Sequence, residues 1–321
     1  MSYRSTITYL IAVLILVAFY LYDTRTQEKK EKAKEEAKQL FQINADHLDT
    51  ITLKKGDATI VLKRRGVTDR QEWEIMAPIQ AKTENFTVRR LIDTLIDLKY
   101  VRLISEKAED MTQFGLDRPI FTLSYQTKEQ VGSLTFGHRS PIEDGFYAVK
   151  REDKKVYIIS TNDKETLDKT LFDLRDKRLF SLETGKVNRI VIDRGARKWV
   201  LFKKEGRWVF EGDEAFKIDK GKVESLLRRT LWEEAKSFEE EEAGDLKPFG
   251  LDKPNVRLFL SDGKKSEEMI VGNPLKDDKK GRIYAKMVGR PQVITVRKFF
   301  IEDLPKTKND LKEEVTEKEE K

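Results

Sequence analysis

The chain states one pattern twice, so whatever it folds into has to be built twice. Trp73 and Trp208 stand 135 positions apart. Phe114-Gly115-Leu116-Asp117-Arg118-Pro119 returns as Phe249-Gly250-Leu251-Asp252-Lys253-Pro254 at the same offset. Gly137 matches Gly272 at 135 again, and Tyr147-Ala148 matches Tyr284-Ala285 at 137. Upstream, Ile51 to Leu53 matches Ile190 to Ile192 at 139, which fits four extra residues near Val67 to Arg70, between two strands. Chance does not hold one spacing through a Trp, a Gly-Leu-Asp-x-Pro turn and a second Gly. The protein is a tandem duplication of a unit of roughly 130 residues, an ordinary domain size. The units are expected at 46–180 and 181–305.

Ahead of the repeats, Ser5 to Tyr22 carries no charged residue. As a helix it would span about 27 Å, close to the hydrocarbon thickness of a bilayer. Tyr3, Tyr9, Tyr20 and Tyr22 sit toward its ends, as interfacial aromatics do. Asp23-Thr24-Arg25 follows instead of a small-x-small cleavage site, which favours an uncleaved transmembrane anchor over residues 1–24. Lys and Arg are more numerous after the span than before it, but Glu28, Glu31, Glu35 and Glu36 offset them, so charge alone leaves the orientation open. Residues 25–45, rich in Glu and Lys with almost no apolar stripe, read as a charged helical stalk. Residues 306–321, whose apolar members are Leu311 and Val315, read as a disordered charged tail.

Charged residues are 37% of the chain and the net charge is +6, with both signs interspersed through both repeats. That is a solvated surface and not the one-signed stripe of a nucleic-acid binder, so no nucleic acid is expected as a partner. The absence of cysteine excludes disulfides, thiolate metal sites and cysteine nucleophiles. No phosphate-cradling glycine loop and no His-Glu-x-x-His occurs. The two histidines, His47 and His138, are not repeated; Asn273 stands where the second would be. No catalytic, cofactor-binding or metal-binding residue is expected, and the protein reads as a non-enzyme.

Each repeat opens with alternating strands around a Gly turn (Lys55-Gly56-Asp57, Arg194-Gly195), then a strand carrying the shared Trp. A helix follows, with Val88, Leu91, Ile92, Leu95 and Ile96 on one stripe, and Val223, Leu226, Leu227 and Leu231 repeating it. Four short strands come after the Gly-Leu-Asp-x-Pro turn, then a helix over Lys164 to Asp173 or Phe299 to Leu304. Short turns between neighbouring strands predict an α+β fold with mainly antiparallel sheets and packed helices.

The repeated residues have structural readings. Trp73 and Trp208 are core rings packed on the helix, with ligand stacking as the alternative. Phe114, Leu116, Phe249 and Leu251 anchor the turn. Gly115 and Gly250 supply positive φ or close approach. Asp117 and Asp252 accept from nearby backbone N–H groups, and Pro119 and Pro254 open an edge strand. Trp232 is different. On a helical wheel it lies opposite the apolar stripe, and its twin is Asp97. A large aromatic on a face its twin leaves polar is a candidate interface.

A short anchor followed by two strand–Trp–helix–Phe-Gly-Leu-Asp-x-Pro–hairpin–Gly–Tyr-Ala units resembles the domain-of-unknown-function 4340 family, from about Asp46 to Leu304. The resemblance implies a single-pass protein of the bacterial cytoplasmic membrane with its repeats outside the cytoplasm. Such proteins are often encoded beside ABC transporters of the gliding-motility type and regarded as auxiliary subunits. It brings no catalytic residues. Glu211-Gly212-Asp213-Glu214 replaces Met76-Ala77-Pro78 after the Trp, so the two units are not expected to bind the same thing. The expected function is a non-enzymatic, membrane-anchored interaction module, auxiliary to an ABC-type transport or cell-envelope system. Its partners would be transporter subunits or other envelope proteins. The alternative is an envelope polysaccharide- or lipid-binding protein.

Overall fold

A computed structural model describes residues 19–27, 30–66, 72–151 and 153–314. Most of the expected anchor (1–18) and the end of the expected tail (315–321) lie outside the described residues. Among the described residues no helix is long and apolar enough to cross a membrane. The chain divides between Asp176 and Lys177 into two compact units. The boundary falls four residues before the expected 180/181 because the connecting strip is shared out by its hydrogen bonds. Asp176 N donates to Lys82 O in the first unit, whereas Lys177 O accepts from Ala235 N in the second. Leu179, Phe180 and Leu182 are then buried in the second core.

In unit 1 the strands are β1 (Leu48–Lys55), β2 (Ala58–Arg65), β3 (Glu72–Ala77), β4 (Ala81–Lys82), β5 (Arg102–Ser105), β6 (Phe121–Thr127), β7 (Val131–Arg139), β8 (Gly145–Lys150) and β9 (Val156–Ser160). They form one sheet in the order β4-β3-β2-β1-β6-β7-β8-β9-β5, antiparallel throughout. Unit 2 supplies β10 (Arg189–Asp193), β11 (Lys198–Lys204), β12 (Arg207–Phe210), β13 (Ser237–Glu240), β14 (Val256–Ser261), β15 (Ser266–Pro274), β16 (Arg282–Met287) and β17 (Val293–Arg297). Its order, β12-β11-β10-β14-β15-β16-β17-β13, is that of unit 1 without β4. The loop that differs in sequence accounts for the missing strand: after β12 the chain closes on itself through a Phe210–Asp213 bridge.

Alternation drives each sheet onto its helix. Ile51 and Leu53 of β1, Leu62 of β2 and Leu123 of β6 share a core with Val88, Leu91, Ile92 and Leu95 of the Asn85–Ile96 helix. Each such side chain, fully buried, contributes about 1.5–3 kcal/mol. Leu48 and Ile51 are three apart yet both buried, because the register of β1 with β6 shifts between Leu48 and Thr50. In unit 2 the Lys220–Leu231 helix buries Val223, Leu226, Leu227, Thr230 and Leu231, and Asp219 caps it by accepting from Lys222 N.

Three expectations need correction, and two strands were not expected. The stalk helix stops at residue 37, and the segment expected to extend it to 45 is part of unit 1: Leu40 N donates to Leu98 O, and Leu40, Phe41 and Ile43 are buried. The tail is ordered from 306 to 314, since Leu311 is buried and Lys312 bridges Ile218. The helix expected over Lys164 to Asp173 is two, Thr161–Leu167 and Leu171–Leu174, because Thr170 and Asp173 make a capping box that restarts the helix. Finally, β5 and β13 are edge strands too short and polar to announce themselves.

Asp168 follows the first of those two helices, with its side chain 6% exposed between Lys164 (2.5 Å) and Lys55 (2.9 Å). Burial pushes its carboxyl up, but hydrogen bonds from Lys164 and Lys55 outweigh this and hold it below the ordinary range. An acid depressed by folding adds stability above its unfolded pKa and loses it as pH falls through its folded pKa. Asp168→Asn is therefore expected to lower the Tm at pH 7, with the gap to wild type narrowing below about pH 4. Thermal melts across that range check this, and a gap independent of pH would contradict it.

Candidate functional site

The repeated residues meet at one place in each unit. A 3-10 turn, Thr112–Phe114, is opened by Asp110, whose side chain accepts from Thr112 N (2.8 Å), and is closed by Gly115 at φ +67°. Leu116 N donates back to Met111 O (3.1 Å). The carbonyl of Phe114 then lies directly over Gly137 of β7, where a Cβ would sit 2.1 Å from the oxygen. The Phe114 ring packs edge-on against Tyr147 of β8, centroids 5.0 Å apart. Unit 2 repeats every contact. Asp245 accepts from Lys247 N (3.0 Å), Gly250 has φ +66°, and Leu251 N donates to Leu246 O (3.1 Å). A Cβ on Gly272 would lie 2.1 Å from Phe249 O, and Phe249 meets Tyr284 at 5.1 Å.

This seat lies on the sheet face away from the helix. Tyr147 and Val149 of β8 join the turn's small cluster around Leu116 and Val156, whereas Ala148 belongs to the main core. Leu116 and Leu251 are buried, while Phe114 and Phe249 are half-buried beside their tyrosines. Trp73 and Trp208, each 6% exposed, are core rings. Two readings change. Among the described residues, Asp117 and Asp252 accept no backbone hydrogen bond. Asp117 has Arg118 at 4.0 Å, and the turn is held instead by Asp110 and Asp245, also 135 apart. Pro119 and Pro254 do not open edge strands: they precede β6 and β14, which are interior, so their missing N–H falls outside the ladder. His138 and Asn273 cover Gly115 and Gly250 in the same way, so the unrepeated histidine has a shared place.

Trp232 belongs to another feature, found in unit 2. It caps the Lys220–Leu231 helix and is 78% exposed, so no described residue of its own unit covers it. Phe299, 66% exposed, faces the same cleft of about 520 Å³, which Leu226, Phe300 and Leu304 also line. At the floor Glu233 is 1% exposed and accepts from Arg297 Nη2 (2.5 Å) and Nε (3.3 Å). That pairing holds Arg297 above its ordinary pKa, and Lys236 lies 3.6 Å from the same carboxylate. Thr230 is 1% exposed, and its hydroxyl has no hydrogen-bond partner among the described residues. On the rim, Arg229 meets Asp303 at 3.3 Å.

The same corner of unit 1 is built differently. Asp93, Leu95, Asp97 and Leu98 occupy the helix positions of Arg228, Thr230, Trp232 and Glu233, at the 135 offset. Ser160 and Asn162 stand for Arg297 and Phe299, at 137. Sequence reasoning found Trp232 from its twin but missed Thr230, Glu233, Arg297 and Phe299, which the same comparison reaches once the helices and strands are aligned. The cleft offers apolar walls, guanidinium groups and a free hydroxyl, which is equipment for binding. Among the described residues no group of three His, Cys, Asp or Glu could hold a metal ion.

A family model described as Domain of unknown function (DUF4340) matches residues 73–209 and 208–318. No curated protein and no solved structure matches. The matched segments are out of phase with the folded units. The first runs from Trp73 in β3 to Val209 in β12, crossing the boundary at Asp176, and the second begins at Trp208.

The seat makes an ordered prediction. Gly115→Ala places a side chain at positive φ, which costs about 1–2 kcal/mol; the ring it meets, His138, is exposed and free to turn aside. Gly137→Ala drives a Cβ into a backbone carbonyl and is expected to cost about 3 kcal/mol or more. Chemical denaturation of the two variants checks the order, with Gly250→Ala and Gly272→Ala repeating it in unit 2.

Proposed function

The chain belongs to the DUF4340 family, and from that premise we propose a non-enzymatic interaction module, membrane-anchored through residues 1–24 with both units outside the cytoplasm. It acts as an auxiliary component of an ABC-type transport or cell-envelope system. The observation that carries this reading is the divergence between twins. Two units share one sheet order and one turn seat, yet only the second has the exposed Trp232 and Phe299 beside a buried Glu233 paired with a solvent-facing Arg297. Duplicates that keep a fold and change one corner fit a protein whose task is to present different surfaces to partners. The apolar run Ser5 to Tyr22 supports the anchor. Exposed aromatics also suit the face of a sugar ring, so envelope polysaccharide binding is the second reading.

Affinity purification of the full chain in mild detergent is expected to recover ABC-transporter subunits. Recovery of none, together with specific hits on a glycan array, would favour the second reading. For topology, Ser266 is exposed at the start of β15 and the chain has no cysteine, so Ser266→Cys gives a single label site. A membrane-impermeant maleimide is expected to label it in cells with a permeabilised outer layer. Labelling that required lysis of the cytoplasmic membrane would reverse the assignment.

A further inference from the structure

We infer that the unit 2 cleft recognises an acidic amphipathic segment of a partner protein, seating apolar side chains between Trp232 and Phe299, a carboxylate at Arg228 on the rim and a separate acceptor at Thr230. The inference rests on the reading of the protein as an interaction module and specifies the chemistry of its partner. Three independent observations point the same way. First, the walls are apolar: Leu226, Phe300 and Leu304 line the cleft between the two exposed rings. Second, Thr230 lines the cleft with a buried hydroxyl that has no partner. A buried hydroxyl left without a partner costs free energy, and an entering acceptor would relieve that cost. Third, the charge is arranged for an anion. Glu233 is already compensated by Arg297 and Lys236, and Asp303 by Arg229. Arg228, on the rim, makes no ion pair or side-chain hydrogen bond among the described residues.

The twin corner supplies the contrast. Asp93 stands where Arg228 does and Asp97 where Trp232 does, so unit 1 would repel the same segment. A carboxylate is favoured over a cationic group because Arg228 is left unpaired among the described residues, and guanidinium pairs well with carboxylate in a partly dry site. A concave site with a hydroxyl at its floor also suits an inserted side chain better than a flat lipid surface.

The test uses the full chain in phosphatidylcholine nanodiscs. The probe is a synthetic helical peptide with leucines along one face and glutamates along the other, beside the same peptide with lysines for glutamates. Binding is read by fluorescence anisotropy, with acrylamide quenching of Trp232. The glutamate peptide is expected to bind, shield Trp232 and lose about tenfold or more in affinity with Trp232→Ala or Arg228→Glu. Arg228→Glu is expected to reverse the preference toward the lysine peptide. Thr230→Val is expected to weaken binding while leaving Tm unchanged or higher, because it removes an unpartnered buried hydroxyl. Equal binding of both peptides, or affinity indifferent to Arg228→Glu, would overturn the inference. So would binding confined to phosphatidylglycerol vesicles. Co-purification separates this from the broader reading. Transporter subunits recovered equally by wild type and Arg228→Glu would sink the cleft and keep the module. Peptide binding without any recovered subunit would keep the cleft's chemistry and sink the transport assignment.

Discussion

A backbone carbonyl resting on a glycine organises both halves of this protein. Phe114 O over Gly137 and Phe249 O over Gly272 leave no room for a Cβ, so the turn can approach the sheet only where the strand is bare. Once it is there, the rest follows. Gly115 and Gly250 take left-handed backbone to reverse the chain, Leu116 and Leu251 drop into the small cluster, and the rings of Phe114 and Phe249 meet the tyrosines of the next strand. The seat fixes how the chain leaves the helix and edge strand to enter β6 or β14 at the centre of the sheet. The two faces of each sheet are thus closed by different means, one by a packed helix and one by a tight turn.

Because that frame is set by a few small residues and their apolar partners, the surface is free to diverge. The helix ends show it. Asp93 and Asp97 leave the corner of unit 1 to water, while Arg228 and Trp232 give unit 2 a cationic, aromatic one. The buried Glu233 matters here. Taking a carboxylate out of water is costly unless it is paired, and removing one partner of such a pair is more costly still. Its twin, Leu98, fills the same place with no such cost. A unit that carries a buried carboxylate, paired with an exposed arginine, where its duplicate carries leucine differs at that corner in chemistry and not only in the exposure of one ring.

Much of the fold was legible in the sequence because the duplication let each unit check the other. Strands with strict alternation, such as Ile51-Thr52-Leu53 against Ile190-Val191-Ile192, and the stripe from Val88 to Ile96 fell where expected. Legibility ended where the deciding interaction was not local. Leu40, Phe41 and Ile43 looked like the end of a polar stalk, but they are buried in the core of unit 1. Leu311 looked like one leucine in a charged tail, but it is buried in unit 2. The backbone-accepting role expected of Asp117 and Asp252 belongs to Asp110 and Asp245, since all stand near the turn and only hydrogen bonds tell them apart. At the cleft, Trp232 announced itself by size. Thr230 and Glu233 did not, because a threonine and a glutamate near a helix end look ordinary until their burial is known.

If two units of one fold present different corners, with the second corner the engaged one, the twin positions should behave differently in the native membrane. A photo-crosslinking amino acid placed at Trp232, and in a separate variant at Asp97, separates them. Crosslinks are expected from position 232 to a transport or envelope protein, and none from position 97. Equal crosslinking from both positions, or crosslinking from 97 alone, would show that the unit 2 corner is not the engaged one.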